Sequence, residues 1–379
     1  DRPEILATTD SAALTEADGA AQLTATGSIT WTDLDITDAV ILSPTYNGDI
    51  AWSAGNINDQ LSQEQLTALT TNAFSITGGA QDGWQYSAAQ NLDFLREGET
   101  ITLSFDVVAT DNSSQPNNTS DPAQTVNITI TGTNDTPDIT GASNPAPIAE
   151  SNADSSAQNI PPTTGTITID DEDVGDTLTL SVTGDATALL NGLDVPNDDS
   201  IDLAPLISQN AISFDPLQSN GESQTIYCNY VPLVADLDWL QSGDTLTLTF
   251  TAQVNDSHGV QGSQSLILTI TGANDAPVIT ASNDNITGSI TEGSSLSDSG
   301  SISFADSDLS NRPTATEDTK SVSALRADGT TELVLTAAQQ QAIEAAFSIN
   351  TPDPNTNTND GSINWTYSID ESDLNFLTH

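Results

Sequence analysis

Positive charge is almost missing from this chain. Five Lys and Arg face fifty-four Asp and Glu, giving a formal net charge of -49. Without a basic patch to neutralise phosphates, nucleic acid and anionic membranes are poor partners, and neither nucleic-acid binding nor membrane insertion is expected. There is one cysteine, Cys228, so no internal disulfide is possible. The only histidines are His258 and His379, which leaves a Ser-His-Asp or Cys-His centre little to work with. No apolar run approaches the roughly 18 residues of a membrane span, and no signal peptide opens the chain, so membrane insertion is not expected. The opening "DRPEILATTD" and the closing "DLNFLTH" both read as abrupt, and the sequence reads as a fragment of a longer protein.

What is present is repetition. "TITGTNDTPDIT" begins at Thr129 and "TITGANDAPVIT" at Thr269. Each of Pro3, Pro137 and Pro277 is followed by a short apolar strand and then a lone loop acid, Glu16, Glu150 or Glu292. Next comes a strand with an acidic end: "GSITWTDLD" from Gly27, "GTITIDDED" from Gly165, "GSISFADSD" from Gly300. Helical patches run from Leu61 and Leu335, and the middle copy keeps only "IDLAPLISQNAISF". "LDFLREGETITLSFDVVATD" from Leu92 matches "LDWLQSGDTLTLTFTAQVND" from Leu237, and the third copy stops at "LNFLTH". The period is about 140 residues. It divides the chain into residues 1–135, 136–275 and an incomplete 276–379.

Most segments alternate apolar and polar residues, the pattern of half-buried strands, with Gly, Asn, Asp and Pro between them. The expected fold is all-β: tandem cadherin-like or Ig-like β-sandwiches in a linear rod, with one short helix per unit.

The strand end "TITGTND-x-P", the run "L-x-FL-x-x-GET-x-TL-x-F" and the helix "LTAAQ…AFSI" resemble VCBS repeats, over essentially the whole chain. These are cadherin-like extender modules of giant secreted bacterial adhesins, many exported with C-terminal RTX sequences. The resemblance implies a Ca²⁺-stiffened stalk at the bacterial cell surface or in a biofilm, with neighbouring repeats as its partners.

The acids are read separately. Residues i and i+2 of a strand point the same way. The pairs Asp33/Asp35, Asp171/Asp173 and Asp306/Asp308 therefore bring two carboxylates together, a repulsion that a bound cation offsets. Ca²⁺ takes six to eight oxygens, and no single run supplies them. The expectation is two junction sites. One uses Asp111, Asn134, Asp135, Glu150, Asp171 and Asp173; the other uses Asp256, Asn274, Asp275, Glu292, Asp306 and Asp308. Asp33, Asp35 and Glu16 are expected to form an equivalent site with a preceding unit. Asp38 and Asp176 follow the pairs, but Asn311 in the third copy speaks against a ligand role there. The bland alternative is that all of these are solvated loop acids, as "NDDSID" from Asn197 is taken to be.

Trp31, Trp84, Trp239, Trp365 and Phe376 suggest a sugar platform, but a position filled by Trp84, Cys228 and Trp365 in turn reads more simply as core, with Cys228 a buried free thiol. His258 sits in a hairpin tip, and the sequon at Asn117 reads as ordinary loop. Catalysis is not expected. Two other readings remain. One is a self-assembling extracellular filament in which identical subunits fill the open edge of the third repeat; the other is a glycan- or peptide-binding module.

Overall fold

The computed structural model describes residues 1–78, 82–113, 118–151, 157–258, 260–280, 285–350 and 359–377; the sequon at Asn117 and the terminal His379 lie outside them. The chain is mostly β-strand.

The first 131 residues build two facing four-stranded sheets. One contains β1 (Glu4–Thr8), β3 (Gln22–Thr32), β6 (Gly83–Ala89) and β5 (Phe74–Thr77), in that spatial order. The other contains β2 (Ser11–Thr15), β8 (Gln124–Thr131), β7 (Thr100–Asp111) and β4 (Val40–Trp52). The helix α1 (Gln63–Thr70) starts on a capping box of Ser62 and Gln65, which satisfies two otherwise unpaired amides.

The alternation in "TITLSFDVVATD" is the reason β7 lies half-buried. Ile101, Leu103, Phe105, Val107 and Ala109 all face the core, and Asp111 continues that inward row at the strand's end. Trp84, Tyr86 and Phe74 pack around Phe105 from the opposite sheet.

Residues 138–271 repeat the plan. β9 (Asp138–Ser143), β11 (Thr163–Asp170), β17 (Gln224–Tyr230) and β15 (Ile212–Phe214) form one sheet in the order β15-β17-β11-β9. The other runs β10 (Ile148–Ala149), β19 (Val260–Thr271), β18 (Thr245–Asn255), β12 (Thr177–Val182), β16 (Leu217–Gln218). A hairpin of β13 (Thr187–Leu190) and β14 (Leu193–Asp194) also pairs with β18. The helical patch shrinks here to α2 (Ala204–Ile207), with Pro205 in its first turn. The core has its own members, among them Tyr230, Trp239, Leu248 and Phe250. Cys228 takes the place of Trp84 and is a buried free thiol.

In the last part, β20 (Val278–Ile279), β21 (Ser297–Ala305), β23 (Gly361–Ser368) and β22 (Phe347–Asn350) give a third sheet with the same strand order. α3 (Ala337–Ala345) starts on the same kind of capping box, from Thr336 and Gln339. Among the described residues this sheet has no facing partner sheet. No helix of the described residues is long and apolar enough to cross a membrane.

Gly132 and Gly272 follow the last strands of the two sandwiches. Neither adopts a positive φ, so turning freedom is not their role. A Cβ on Gly132 would stand 2.3 Å from the carbonyl oxygen of Leu95, and one on Gly272 2.3 Å from that of Gln241. They are glycine because the chain leaves the sandwich pressed against its own "L-x-FL" or "L-x-WL" loop.

Candidate metal centres at the joints

Strand direction decides which acids meet. β2 runs parallel to β8, with Thr15 opposite Thr131, so Glu16 emerges beside the end of the last strand. Its amide donates to the Thr131 carbonyl at 2.9 Å, and its Oε1 accepts from the Thr133 amide at 2.7 Å and from the Thr133 hydroxyl. Glu150 does the same one unit later. It follows β10, which is parallel to β19; its amide donates to Thr271 at 2.9 Å and its Oε2 accepts from the Ala273 amide at 2.8 Å. β7, by contrast, is antiparallel to β8, which sends Asp111 to the opposite end.

This regroups the expected sites. Glu16 stands at the first joint and Glu150 at the second, each one joint later along the chain than the sequence reading placed it. Asp111 lies at the amino-terminal end with Asp33 and Asp38, their oxygens within 4.8 Å of one another. Asp256 replaces Asp111 at the first joint, where its Oδ2 accepts from Asn134 Nδ2 at 2.9 Å. Among the described residues, no hydrogen bond or acid cluster ties Glu292 to Asn274, Asp275, Asp306 or Asp308. It occupies the sequence place of Glu16 and Glu150, but among the described residues no parallel strand lies beside it as β8 and β19 lie beside those two. The sequence pattern carries no information on strand direction.

The first joint brings together both sides of the linker. The Asp135 amide donates to Asp173 Oδ2 at 2.8 Å, and Asn134 Nδ2 also donates to the Asp135 carbonyl at 2.8 Å. Asp171 and Asp173 are buried at the end of β11. Asp176 and Asp256 converge with His258, one ligand atom of each within 4.8 Å of the others. The second joint repeats the core of this. The Asp275 amide donates to Asp308 Oδ2 at 3.1 Å, Asn274 Nδ2 to the Asp275 carbonyl at 2.6 Å, and the Asp308 amide to Asp306 Oδ1 at 3.1 Å. At the amino-terminal end the Asp35 amide donates to Asp33 Oδ1 at 2.9 Å.

Two acids at the joints escape the sequence reading, and a third is one it weighs against. Asp238 is buried and clusters with Glu150 and Asp275 within 4.8 Å. Asp93, its counterpart in the first unit, is buried and its charge helps raise the carboxyl of Asp135. Their signal in the sequence is the Asp of "LDFL" and "LDWL", which a search for repeats marks only as part of the recurring run. Asp176 was set aside because of Asn311, yet it is buried within the first joint; Asn311 keeps a place in the second, donating to Asp308 Oδ2 at 2.8 Å.

The electrostatics are unusual for carboxylates. Burial, followed by the charges of Asp93 and Glu16, pushes Asp135 up to about 7. Burial is also the leading cause for Asp173, at about 8, Asp171, at about 6, Glu150, at about 8, and Asp308, at about 6. Desolvation penalises the ionised form, and like charges add to it. Buried oxygens nearly always have partners. Here Glu16 Oε2, Asp135 Oδ2, Asp173 Oδ1, Asp176 Oδ2 and both oxygens of Asp171 have none, and neither does Asp308 Oδ1 at the second joint. Asp33 Oδ2 and Asp111 Oδ2 repeat this at the amino-terminal end. Nearly all donors are hard oxygens. Such a set fits a hard divalent cation such as Ca²⁺ rather than a thiolate- or imidazole-preferring metal.

Beside the acids sits an apolar contact. Val174 packs against the core of the first sandwich, and its amide approaches the Phe94 carbonyl at 3.3 Å. Leu309 packs against the second core, with its amide 3.4 Å from the Trp239 carbonyl. Ile36, at the same place in the first unit, is 93% exposed.

No family model matches the chain, and no curated protein matches it. Among solved structures, a human CDH23 EC21-23 fragment is 15% identical over 96% of this chain and 99% of its own, with a TM-score of 0.36. Protocadherin gamma B7 extracellular cadherin domains 1–4 are 13% identical over 97% and 76%, at 0.33. Mouse cadherin-23 EC22-24 is 12% identical over 81% and 94%, at 0.32.

Proposed function

We propose that the chain is a calcium-stiffened stalk, the extender region of a secreted or cell-surface bacterial adhesin, built of repeats at residues 1–135, 136–275 and 276–379. The observation that carries this reading is the set of buried, unpartnered carboxylate oxygens contributed from both sides of a linker. A carboxylate without a counter-charge in a buried site is costly, and that cost is removed by a divalent cation. At the first joint Glu16, Asp93, Asn134, Asp135, Asp171, Asp173, Asp176 and Asp256 would hold it; at the second, Glu150, Asp238, Asn274, Asp275, Asp306 and Asp308. Asp33, Asp35, Asp38 and Asp111 make a half-site at the amino-terminal end. A bound Ca²⁺ supplies charge neutralisation and a rigid oxygen cage. The protein's part is to deliver acids from two sandwiches to one place.

The role is mechanical and extracellular, with no catalytic step. Calorimetric titration with Ca²⁺, paired with small-angle scattering, tests it. Saturable binding with a stiffening of the molecule supports the stalk, and identical scattering and melting with and without Ca²⁺ sinks it.

A filament is the second reading. It is favoured by the apolar side of the third sheet, where Ile279 is 66% and Phe347 36% exposed. Concentration-dependent mass by light scattering separates it from a stalk. The glycan reading loses its aromatic platform, because Trp84, Trp239 and Trp365 are all buried.

A further inference from the structure

The two joints share one backbone plan but differ in one side chain. In the first, the turn after "LDFL" closes with the Glu99 amide on the Arg96 carbonyl at 2.9 Å, and Gly132 donates to the Glu99 carbonyl at 2.9 Å. In the second, the Asp244 amide meets the Gln241 carbonyl at 2.9 Å, and Gly272 donates to the Asp244 carbonyl at 3.0 Å. Arg96 and Gln241 therefore occupy the same position, and Glu99 corresponds to Asp244.

Arg96 crosses the joint. Its Nε and Nη2 donate to Glu99 Oε1 at 2.8 and 2.5 Å. Glu99 is steadied from behind by Trp52 Nε1, at 3.0 Å from Oε2. From this anchored position Nη1 reaches the Gly175 carbonyl of the next sandwich at 3.4 Å, and Nε lies 3.8 Å from Asp176 Oδ1. Gly175 has a φ of +94°, which turns its carbonyl towards the guanidinium. The cation is covalent, planar and permanently charged.

Among the described residues the second joint has no such group. Gln241 is uncharged, and Asn311 stands where Asp176 would be. Asp244 is only 5% exposed; its Oδ1 accepts from Asn191 Nδ2 at 2.8 Å, while Oδ2 has no partner. Its charge is one of those that raise the carboxyl of Asp308, after burial, Asp306 and Asp275. The nearby Arg312 is engaged with the carbonyls of Leu309 and Asn311. Its guanidinium makes no ion pair among the described residues.

We propose that Arg96 is a built-in cation of the first joint that holds it when metal is withdrawn, so that the second joint loosens first and is the programmed bending point of the chain. This rests on the calcium reading above, because metal withdrawal is the challenge.

The test measures each joint separately. Spin labels on cysteines replacing the exposed Asp49, Thr183 and Gln341, in pairs, report distances across the first and second joints; the buried Cys228 stays in place. Free Ca²⁺ is lowered with a chelator at one fixed pH. The distance distribution across the second joint should broaden at about fivefold higher free Ca²⁺ than that across the first, the upper end for a solvent-accessible ion pair. Arg96→Gln should bring the two midpoints together. The double change Gln241→Arg with Asn311→Asp should shift the second joint towards the first, and keeps the proposal testable if Arg96→Gln folds poorly. Equal midpoints in the parent chain, or no effect of either variant, overturn it. If neither joint responds to chelation at all, the calcium reading itself fails, and this proposal with it.

Discussion

The backbone amide of Asp135, at the end of one sandwich, donates to Oδ2 of Asp173 in the next, at 2.8 Å. One residue thus belongs to the linker and to the acid pair at once. The second joint repeats the relationship with Asp275 and Asp308. It ties the linker to the next sandwich and leaves Asp173 Oδ1 and Asp135 Oδ2 without a partner.

Neutralising the acid pair should have opposite effects in the two metal states. In Asp171→Asn/Asp173→Asn, the metal-free protein should melt at the parent temperature or above, because buried like charges are gone. With saturating Ca²⁺ it should melt below the parent, and affinity at the first joint should fall by at least on the order of tenfold, a loss that even outer-shell changes produce. Differential scanning calorimetry with and without Ca²⁺ checks both arms.

Proton linkage gives a second outcome. Asp135, Glu150, Asp171, Asp173 and Asp308 are raised in the folded state to about 7, 8, 6, 8 and 6. Between the unfolded values near 4 and these values, the folded chain binds more protons than the unfolded one, so stability falls as pH rises. Metal-free protein should therefore lose stability from about pH 4 to 8. The stabilisation added by Ca²⁺ should grow over the same window, because the cation competes with those protons. Denaturant melts at several pH values, with and without Ca²⁺, read both slopes.

The apolar contact of the joint should matter independently of metal. Val174→Ala removes a half-buried side chain from the first core and should cost roughly 1 kcal/mol in both metal states. Urea melts test this; an effect confined to the Ca²⁺-bound protein would mean that Val174 acts only through the acids.

Gly27 is a packing position rather than a turn. A Cβ there would stand 2.3 Å from the Trp84 indole, whose Nε1 donates to the Thr9 carbonyl at 2.9 Å. Gly27→Ala should displace the indole and cost about 1–3 kcal/mol, seen as a red-shifted tryptophan emission and a lower melting temperature.

Cys228 faces Gly165 in the equivalent place, buried, and burial raises its thiol above the ordinary value. It should resist thiol reagents in the native protein and react only with the rate of unfolding. Rapid native labelling would show that the second core opens more readily than its packing implies.

Sequence alone determined the strand content, the two helical patches and the core position shared by Trp84, Cys228 and Trp365, and it singled out acids that the fold gathers at the joints. These follow from local rules: a period of two places Leu103, Phe105 and Asp111 on one face, and in extended backbone D-x-D points two like charges the same way. It did not determine which acids share a site. That depends on β2 running parallel to β8 while β7 runs antiparallel, which sends Glu16 and Asp111 to opposite ends, and strand direction leaves no mark in an alternating pattern. The same holds for Arg96 and Asp176, which are eighty residues apart by number (96 to 176) and meet only because two sandwiches abut. Composition concentrates negative charge along the chain; topology decides which carboxylates meet, and it brings Arg96 to Asp176 across the first joint.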